Sequence, residues 1–490
     1  MNTTELPVPI EALNVCKTLK EAGFEAYLVG GCVRDLIVSR EPKDWDVTTN
    51  ATPEQIQGLF TETFYENDYG TVGVVTESEN LKLKVIEVTP YRVESGYSNA
   101  RHPDEVRFSD SLSEDLKRRD FTINAIAYDP ISHALVDEHG GKGDIERQVI
   151  TAVGDANERF REDALRMLRA VRLSAELDFV IEVQTAAGIV AQATQLEKIS
   201  RERVRDELVR ILMSPRPMQA IYVAQKLGIL KYILPEVEEG IGIDQNQAHS
   251  FDVFEHLLRS MQHAADKEWP LELRLAALLH DVGKPASRRW SDEKKDWTFH
   301  GHEVIGAKMA KKILQNLKFS RETIEVVTTL IRWHMFFSDP DTVTLSAVRR
   351  MIVNVGKDHI EELLNLRMCD RIGTGRPKEQ PFRLRKYMSM VDEAMRDPIS
   401  VGMLKMDGAG VMSVTHETPG PRIGWILHAL LEEVLDDPAK NTTEYLENRS
   451  TELSKFDDEG LKKLGLAGKD RRAEEDEAAI KELREKHHVT

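Results

Sequence analysis

Residues 30–46 read GGCVRDLIVSREPKDWD, and this stretch decides the fold of the N-terminal part of the chain. The apolar run before it predicts a strand that ends at a double glycine. Gly30 and Gly31 then predict a turn into a short helix that contains Arg34. Such a turn presents backbone N–H groups and a helix N-terminus, which together favour phosphate binding.

Two carboxylates close the same stretch. Asp44 and Asp46 lie in DWDVTT, which has the β-branched composition of a strand, and side chains two apart on a strand share a face. Carboxylates this close repel each other unless a cation lies between them. A divalent metal pair, here expected to be Mg²⁺, fits this position and is typical of in-line nucleotidyl transfer. Glu87 in VIEVTPYR is either a third carboxylate of this site or an edge-strand acid that faces water, and the sequence leaves both open.

Composition limits the classes to which the chain can belong. Its 490 residues are too many for one core and predict three or four domains, and 41% hydrophobic with 30% charged residues is typical of a globular protein. No run of about 18 apolar residues occurs, so we expect a cytoplasmic protein without a membrane partner. The three cysteines are far apart and predict neither disulfides nor a zinc ribbon. A net charge of −17 argues weakly against nucleic acid.

Four regions follow from the change in pattern along the chain. Short β-type runs alternate with helical stretches in the first region, which predicts a small mixed α/β sheet domain. The other regions are helical and become highly charged towards the C-terminus, so the expected fold is an α/β head followed by all-α domains. The predicted boundaries are 1–150, 151–242, 243–375 and 376–490.

A polar cluster follows the predicted strand that contains Glu87. The segment YRVESGYSNARHPDEVRFSD reads as a loop, and DLKRRDFTINAIAYDP after it sets polar side chains around an apolar run. Arg and Asn at this density suit triphosphate and ribose contacts, while surface salt bridging is the alternative. The candidates are Arg118, Arg119, Asp120 and Asn124.

One predicted helix, residues 160–176, carries Asp163, Arg166, Arg169 and Arg172 at intervals of three. At about 100° per residue, Asp163 and Arg166 are neighbours on its surface and set one acceptor beside one donor. Cytosine and adenine present an amino donor beside a ring-nitrogen acceptor, whereas uracil and guanine present the reverse. The pair therefore predicts selection of C and A without a template; an intrahelical ion pair is the alternative.

Histidines and aspartates recur through the third region. A buried His280-Asp281 pair before a Gly-Lys-Pro turn is hard to explain by packing, and further histidines and one aspartate lie on other predicted helices. Histidine and carboxylate gathered from several helices are typical of a divalent metal site. The other candidate ligands are His256, His302, His334 and Asp370.

Six motifs of the chain, taken in order, resemble those of class II tRNA nucleotidyltransferases, the CCA-adding enzymes of the polymerase β-like superfamily. They are GGCVRD, PKDWD, EVTPYR, DLKRRDFTINAIA, REDALRMLRAVR and ISRERVRDEL. The resemblance covers about residues 25–240 and implies a head with a five-stranded sheet, a helical neck, and body and tail domains that bind tRNA. It assigns Asp44 and Asp46 to the catalytic metals, and it places Gly31, Arg34, Arg119, Asp163, Arg166, Arg169 and Arg172 at the incoming CTP or ATP. Gly30 of the glycine turn and Asp120 and Asn124 of the polar cluster complete the predicted nucleotide-binding set.

The same superfamily includes bacterial poly(A) polymerases, which remain an alternative together with partial CC- or A-adding enzymes. EVTPYR and an acidic-mixed tail favour CCA addition, and the loop that is short in CC-adding enzymes is of full length here. Phosphate contacts to tRNA are expected from neck arginines, unless these pair with Glu202, Asp206 and Glu207 on the same helix. These arginines are Arg201, Arg203, Arg205 and Arg210.

The third region resembles the HD phosphohydrolase superfamily, with its H…HD…D pattern and two extra histidines. That resemblance assigns His256, His280, Asp281 and Asp370 to one divalent metal of unknown identity. His302 and His334 would complete a second site. It implies phosphatase or cyclic phosphodiesterase activity on RNA ends. The sequence leaves the oligomeric state open.

Overall fold

A computed structural model of the chain describes residues 5–65, 70–95, 105–245, 250–336 and 343–466. The chain divides into two compact units, residues 1–233 and 234–490. Across the described part of the chain, every helix is too short or too polar to cross a membrane. The centre of the predicted loop after EVTPYR and the charged C-terminal segment from residue 467 onward lie outside the described residues.

The first unit combines a sheet with helices. Its strands are β1 (Ala26–Val29), β2 (Asp46–Thr49), β3 (Thr63–Tyr65), β4 (Val72–Val75), β5 (Val85–Pro90), β6 (Arg92–Ser95), β7 (Glu105–Phe108), β8 (Ala127–Asp129), β9 (Ala134–Val136), β10 (Val149–Ile150) and β11 (Val180–Ile181). Its helices are α1 (Ile10–Glu21), α2 (Gly31–Ile37), α3 (Pro53–Leu59), α4 (Leu112–Lys117), α5 (Gly141–Arg147), α6 (Ala156–Glu162), α7 (Leu165–Leu177), α8 (Val183–Gln192), α9 (Arg201–Leu212) and α10 (Pro217–Lys226).

The main sheet of this unit has the described strand order β3-β4-β5-β2-β1-β8-β9. The resemblance implied five strands, and the difference arises because the hairpins β3–β4 and β8–β9 each add a three-residue strand at one edge. Strand β2 pairs in parallel with β5 and antiparallel with β1, so it lies at the centre. Its residues Val47, Thr48 and Thr49 are fully buried, which fixes the position of Asp46 at its start.

The helix predicted over residues 160–176 is wrong, because the structure has two helices here. Helix α6 ends at Glu162, Asp163 is extended (φ −141°, ψ 105°), and α7 begins at Leu165. The carboxylate of Asp163 accepts a hydrogen bond from the backbone N–H of Leu165 at 3.0 Å. Aspartate readily bonds the backbone two residues onward, and this local bond competes with a continuous helix.

In its described residues, the second unit is helical apart from one hairpin. Its helices are α11 (Pro235–Glu238), α12 (Val253–Asp266), α13 (Leu271–Leu279), α14 (Lys284–Ser287), α15 (His302–Asn316), α16 (Arg321–Trp333), α17 (Leu345–Val355), α18 (Ile360–Gly373), α19 (Phe382–Ala394), α20 (Gly408–Thr415), α21 (Pro421–Asp436) and α22 (Thr443–Leu453), with further helix over residues 458–466. The hairpin consists of β12 (Arg289–Ser291) and β13 (Asp296–Thr298).

Close packing of α12 against α18 positions part of the second unit's polar centre. Gly373 on α18 permits it, since a Cβ there would lie 2.1 Å from the Ser260 hydroxyl and 2.8 Å from the His256 carbonyl oxygen. Helix α12 also packs against α13, and α13 packs against α16. The ends of these helices therefore bring histidines and aspartates from distant parts of the sequence to one place.

Replacing Gly141 by Ala is expected to destabilise the first unit by about 2 kcal/mol. A Cβ at this position would lie 2.2 Å from the backbone oxygen of Thr122, which cannot move aside as a side chain can. We expect the melting temperature of the first unit to fall by about 4–8 °C in a thermal denaturation of the full chain. Gly143→Ala in the same helix is the control, since its nearest neighbour is the flexible end of Arg147 at 3.4 Å. A Gly141→Ala chain as stable as the control would contradict this packing.

Candidate functional site

The paired carboxylates of the first unit lie where β2 begins. Asp46 is the first residue of the strand and is partly buried, whereas Asp44 lies in a bend before it and is exposed. Loss of solvent around Asp46 raises its pKa to about 6; Arg119 opposes this rise and Asp44 adds to it. The two carboxylates are therefore close enough to repel, although Asp44 is not itself a strand residue as the sequence predicted.

The glycine turn lies against this carboxylate. Gly30 has φ 81°, and a Cβ built on it would lie 3.2 Å from Arg119 Nη1 and 3.4 Å from Asp46 Oδ2. Both the left-handed backbone and the lack of space favour glycine here. Among the described residues, the buried Nε of Arg119 has no hydrogen-bond partner. Gly31 begins α2, and its own Cβ position is 3.6 Å from Arg34 Nη2.

Five polar residues next to this turn form one continuous network. Arg34 is buried and donates to Asp35 Oδ1 at 2.9 and 2.7 Å, and to Asn124 Oδ1 at 2.7 Å. Asn124 donates to Asp120 at 3.1 Å, and Arg169 donates to the other oxygen of Asp120 at 2.7 Å. Burial opposes ionisation of Asp120, but Arg169 and Asn124 hold its pKa below the usual value. The sequence predicted four of these residues as nucleotide contacts, and the structure brings them together.

Asp115 is a buried carboxylate that sequence reasoning missed. It accepts from Arg118 at 2.6 Å, from Arg119 Nη2 at 3.2 Å and from the Thr48 hydroxyl at 3.3 Å. It therefore fixes Arg119 relative to the central strand β2. Asp115 lies three residues before Arg118 and four before Arg119, which is the spacing of ion pairs on a helix, and this signal could have identified it.

Of the proposed base-selecting residues, Asp163 lies in the extended break between α6 and α7, and Arg166 lies in the first turn of α7. Asp163 Oδ2 is 2.7 Å from Arg203 Nη2, and its Oδ1 is 3.2 Å from Arg203 Nη1. Arg166 binds the Glu162 carboxylate at 2.6 Å and the backbone oxygen of Arg118 at 3.1 Å. The alternative of an intrahelical ion pair between Asp163 and Arg166 is therefore wrong, because each residue forms an ion pair with another partner. Glu162 was missed, although its spacing of four residues from Arg166 is the usual one for a helical pair.

Three of the remaining predicted arginines pair with acids. Arg172 is buried and binds Glu207 at 2.8 Å and Glu176 at 2.9 Å, so it joins α7 to α9. Arg205 pairs with Asp206 at 2.8 Å, and Arg210 approaches Glu207 at 4.0 Å. For Arg205 and Arg210 the helix-pairing alternative is therefore realised. The Arg201 side chain donates to a backbone oxygen at 3.0 Å.

Glu87 is not on an edge strand. Strand β5 lies between β4 and β2, and Glu87 is directly opposite Asp46 in the parallel register. Residues in register on neighbouring strands point to the same face of a sheet. The edge-strand alternative is wrong, and Glu87 remains a candidate for the carboxylate site.

A second site lies in the second unit. Its side chains form two groups whose ligand atoms lie within 4.8 Å of one another, and Asp281 belongs to both. Asp281 Oδ2 is 3.0 Å from His256 Nε2, and Asp281 Oδ1 is 3.2 Å from His302 Nε2 and 3.5 Å from His334 Nε2. The complete set consists of His256, His280, Asp281, His302, His334 and Asp370, and every member is buried.

Backbone contacts orient three of these histidines. His280, His302 and His334 place Nδ1 at 2.9, 2.6 and 2.7 Å from a backbone carbonyl oxygen three residues earlier. A proton on Nδ1 leaves the Nε2 lone pair free, which is the usual second-shell arrangement of a metal-binding histidine. The local backbone therefore fixes the tautomer of each of these three histidines.

Unpartnered buried atoms indicate a cation at this site. Within the described residues, Asp281 Oδ1, His302 Nε2 and His334 Nε2 are buried without a hydrogen-bond partner, although they face one another. Burial opposes a proton on His280, while Asp281 and Asp370 raise its pKa to about 9, which shows that the two carboxylates favour a positive charge at this position. A divalent metal would satisfy all of these atoms, and the mixed histidine and carboxylate set fits one.

Three family models match separate segments of the chain. They are the poly A polymerase head domain over residues 26–151, the probable RNA and SrmB-binding site of polymerase A over residues 178–241, and the HD domain over residues 253–372. The first segment holds the carboxylate site, and the third holds the complete histidine and aspartate cluster.

Known proteins extend this match over most of the chain. The CCA-adding enzyme of Lactobacillus delbrueckii subsp. bulgaricus is 45% identical over 88% of this chain and 95% of that protein. The chain belongs to the CCA-adding enzymes. Another relative, the CCA-adding enzyme of Lactobacillus johnsonii, is 45% identical, but the alignment spans 47% of this chain and only 56% of the relative. Several further curated relatives are likewise matched over little more than half of their length.

A solved CCA-adding enzyme shares the fold. The Bacillus stearothermophilus enzyme, crystallised in complex with CTP, aligns with a TM-score of 0.65 and 27% identity over 90% of this chain and 96% of that one. Together with the curated relatives, this confirms the predicted family and fold class.

Proposed function

We propose that this chain adds CCA to the 3′ end of tRNA from CTP and ATP without a nucleic-acid template. The observation that carries the proposal is the approach of Asp46 and Arg119 to the Gly30 turn, in a chain that belongs to the CCA-adding enzymes. Full-length relatives of this name favour CCA addition over poly(A) synthesis. The structurally similar Bacillus stearothermophilus enzyme was crystallised with CTP, one of the two expected substrates.

The carboxylate pair fits Mg²⁺, which prefers oxygen ligands and substrate phosphates. Asp44 and Asp46 would hold it, with Glu87 as the candidate third ligand. When bound, Mg²⁺ supplies charge neutralisation for the triphosphate and activation of the tRNA 3′-hydroxyl. Arg119 and the N–H groups of the glycine turn bind phosphate oxygens, and the pyrophosphate leaves towards these donors.

Base selection is assigned to Asp163 and Arg166. A carboxylate has about four acceptor positions, so Asp163 can keep its bond to Arg203 and still accept from the amino group of cytosine or adenine. Arg166, held by Glu162, donates to the ring nitrogen. Uracil and guanine present donor and acceptor in the reverse order and are rejected. The ion pair of Arg169 with Asp120 joins α7 to the loop that follows α4, beside the proposed nucleotide site.

Glu162→Gln is expected to raise the KM for both CTP and ATP by about tenfold with a smaller effect on kcat. Loss of the ion pair leaves Arg166 without its orienting acid, and a hydrogen bond to a charged group is worth about 1.5–3 kcal/mol. Steady-state incorporation kinetics measure both constants. Glu158→Gln, an exposed acid one turn earlier on α6, is the control. Equal KM values for the two variants would rule out this role for Glu162.

The activity itself is tested with tRNA that lacks its 3′ end. The chain is incubated with CTP alone, ATP alone or both, and the products are sequenced. We expect CC from CTP alone, CCA from both and no further growth. A tail of many adenosines from ATP alone would indicate a poly(A) polymerase. A product that carries only CC or only A when both nucleotides are supplied would indicate a partial enzyme.

A second candidate function belongs to the second unit. The buried cluster around Asp281, with unpartnered His302 and His334 nitrogens, supports a metal-dependent phosphohydrolase that acts on phosphate esters of RNA ends. A bound divalent metal would supply Lewis-acid activation of water. Lys284 lies 2.6 Å from Asp281 Oδ2 and holds that carboxylate in place. Release of phosphate from an RNA end in the presence of Mn²⁺, Ni²⁺, Co²⁺ or Mg²⁺ tests this function.

The predicted domain boundaries, the cytoplasmic location and tRNA contacts by neck arginines stay predictions. Of the four neck arginines, Arg203 is bound to Asp163, a proposed base-selecting residue. Contacts to tRNA phosphates are therefore expected from solvent-facing arginines such as Arg210. The oligomeric state stays open.

A further inference from the structure

A large cavity lies over the histidine and aspartate cluster of the second unit. Its volume is about 1290 Å³, and its floor includes Asp281, His302, His334 and Asp370. A drug-sized ligand fills a pocket of about 300–1,000 Å³, so this cavity has room beyond a single terminal phosphate group. Its substrate is therefore expected to extend away from the metal ligands.

The cavity wall is basic although the chain has a net charge of −17. Apart from the candidate metal ligands, only two acids, Asp296 and Glu303, are among its described lining residues, and the lysines and arginines outnumber them. Such a local reversal of charge in an acidic protein favours an anionic substrate. The basic lining residues are Lys284, Lys294, Arg367, Arg371, Arg376 and Arg383.

Three of these arginines lie side by side at the end of α18 and just after it. Arg367 binds the Asp370 carboxylate at 2.6 Å. Arg371 donates to the backbone oxygen of Lys378 at 2.5 Å, and within the described part of the chain neither Arg371 nor Arg376 pairs with a carboxylate. Adjacent guanidinium groups repel unless an anion lies among them, and phosphate accepts two hydrogen bonds from each.

An aromatic side chain lies on the same cavity wall. Trp297 belongs to β13, and the Arg288 guanidinium carbon is 3.8 Å from the centroid of its ring. Trp290, its partner in register on β12, packs against it edge-on with centroids 5.2 Å apart. The ring is thus held in place while remaining only partly buried. Aromatic rings beside cations are the usual platform for unpaired nucleobases.

We propose that this cavity binds two consecutive nucleotides of a phosphorylated, single-stranded RNA end. The terminal phosphate lies at the histidine and aspartate cluster, the preceding phosphodiester lies against Arg371 and Arg376, and the base of the preceding nucleotide stacks on Trp297. This inference rests on the proposed phosphohydrolase function and specifies its substrate. Hydrolysis consumes one water, breaks the terminal P–O bond, and releases inorganic phosphate while the ester oxygen leaves as a hydroxyl group.

The test uses the full chain with added divalent metal and two matched substrate pairs. Each pair contains a mononucleotide and a dinucleotide, both with a 3′-phosphate in one pair and a 5′-phosphate in the other. We expect the wild-type chain to prefer the dinucleotide of at least one pair. Arg376→Gln and Trp297→Leu should each raise the KM for that dinucleotide about tenfold and leave the mononucleotide within about twofold. Arg385→Gln, an exposed arginine of α19 that does not line the cavity, is the control.

A binding measurement separates this inference from the function on which it depends. Without metal, the dinucleotide should quench tryptophan fluorescence of the wild-type chain, and Trp297→Leu should remove most of that change. If no substrate is hydrolysed, the phosphohydrolase proposal fails, and the quenching alone decides whether the subsite exists. Equal kinetics on both members of each pair, or equal effects of the variants on both, would overturn the two-nucleotide subsite while leaving the phosphohydrolase function in place.

Discussion

Replacing Asp46 by Asn is expected to lower the rate of CMP incorporation into tRNA at least about 10³-fold. The side chain keeps its size, but the site loses the negative charge that lies beside Arg119 and the Gly30 turn. Asp44→Asn should have a comparable effect, because the cation needs both carboxylates. Single-turnover incorporation with saturating CTP measures the chemical step.

Asp110→Asn, an exposed acid in the same unit, is the matched control for this prediction and should leave the rate unchanged. Phosphate release by the second unit should also be unaffected in Asp46→Asn, because the two sites do not share residues. Incorporation by Asp46→Asn at more than about a tenth of the wild-type rate would show that the transfer does not depend on this carboxylate.

The second large effect is expected at Asp281, which belongs to both candidate ligand groups. Asp281→Asn should abolish metal-dependent phosphate release, by about 10³-fold or more, and leave CCA addition intact. The loss of charge also leaves Lys284 buried at 2.6 Å from a neutral group, so part of the effect is expected on stability. His334→Gln removes one ligand without this side effect and serves as a second variant.

Metal content distinguishes loss of the site from loss of folding in these variants. Isothermal titration with Mn²⁺ should show weaker binding to Asp281→Asn and His334→Gln than to the wild-type chain. Asp296→Asn, an acid that lines the same cavity outside the ligand cluster, should bind Mn²⁺ and release phosphate normally. If all three variants behave alike in both measurements, Asp281 is not a ligand that the metal site requires.

Short-range patterns in the sequence predicted the parts of the sites that are built from single motifs. The Gly30 turn and Asp46 at the start of β2 follow from local propensity alone. The ligand cluster was also predicted, because histidine followed by aspartate in an apolar helix is unusual. The resemblance to a known family supplied the order of these motifs and the roles of their residues.

Contacts between distant residues were not predictable in the same way. Asp163 is tied to Arg203 on another helix, and this bond together with its cap on Leu165 interrupts a helix that periodicity had predicted as continuous. Arg172 was expected at the nucleotide but binds Glu207, thirty-five residues later. Alternation of polar and apolar residues shows which face of an element is buried and gives no information on its partner.

The most direct test of nucleotidyl transfer at the first unit is crystallography of the full chain with CTP and Mn²⁺, using the anomalous signal of manganese. We predict manganese density between the Asp44 and Asp46 carboxylates, with the triphosphate extending towards Gly30 and Arg119. Manganese confined to the histidine and aspartate cluster, with CTP bound away from Asp46, would contradict the account.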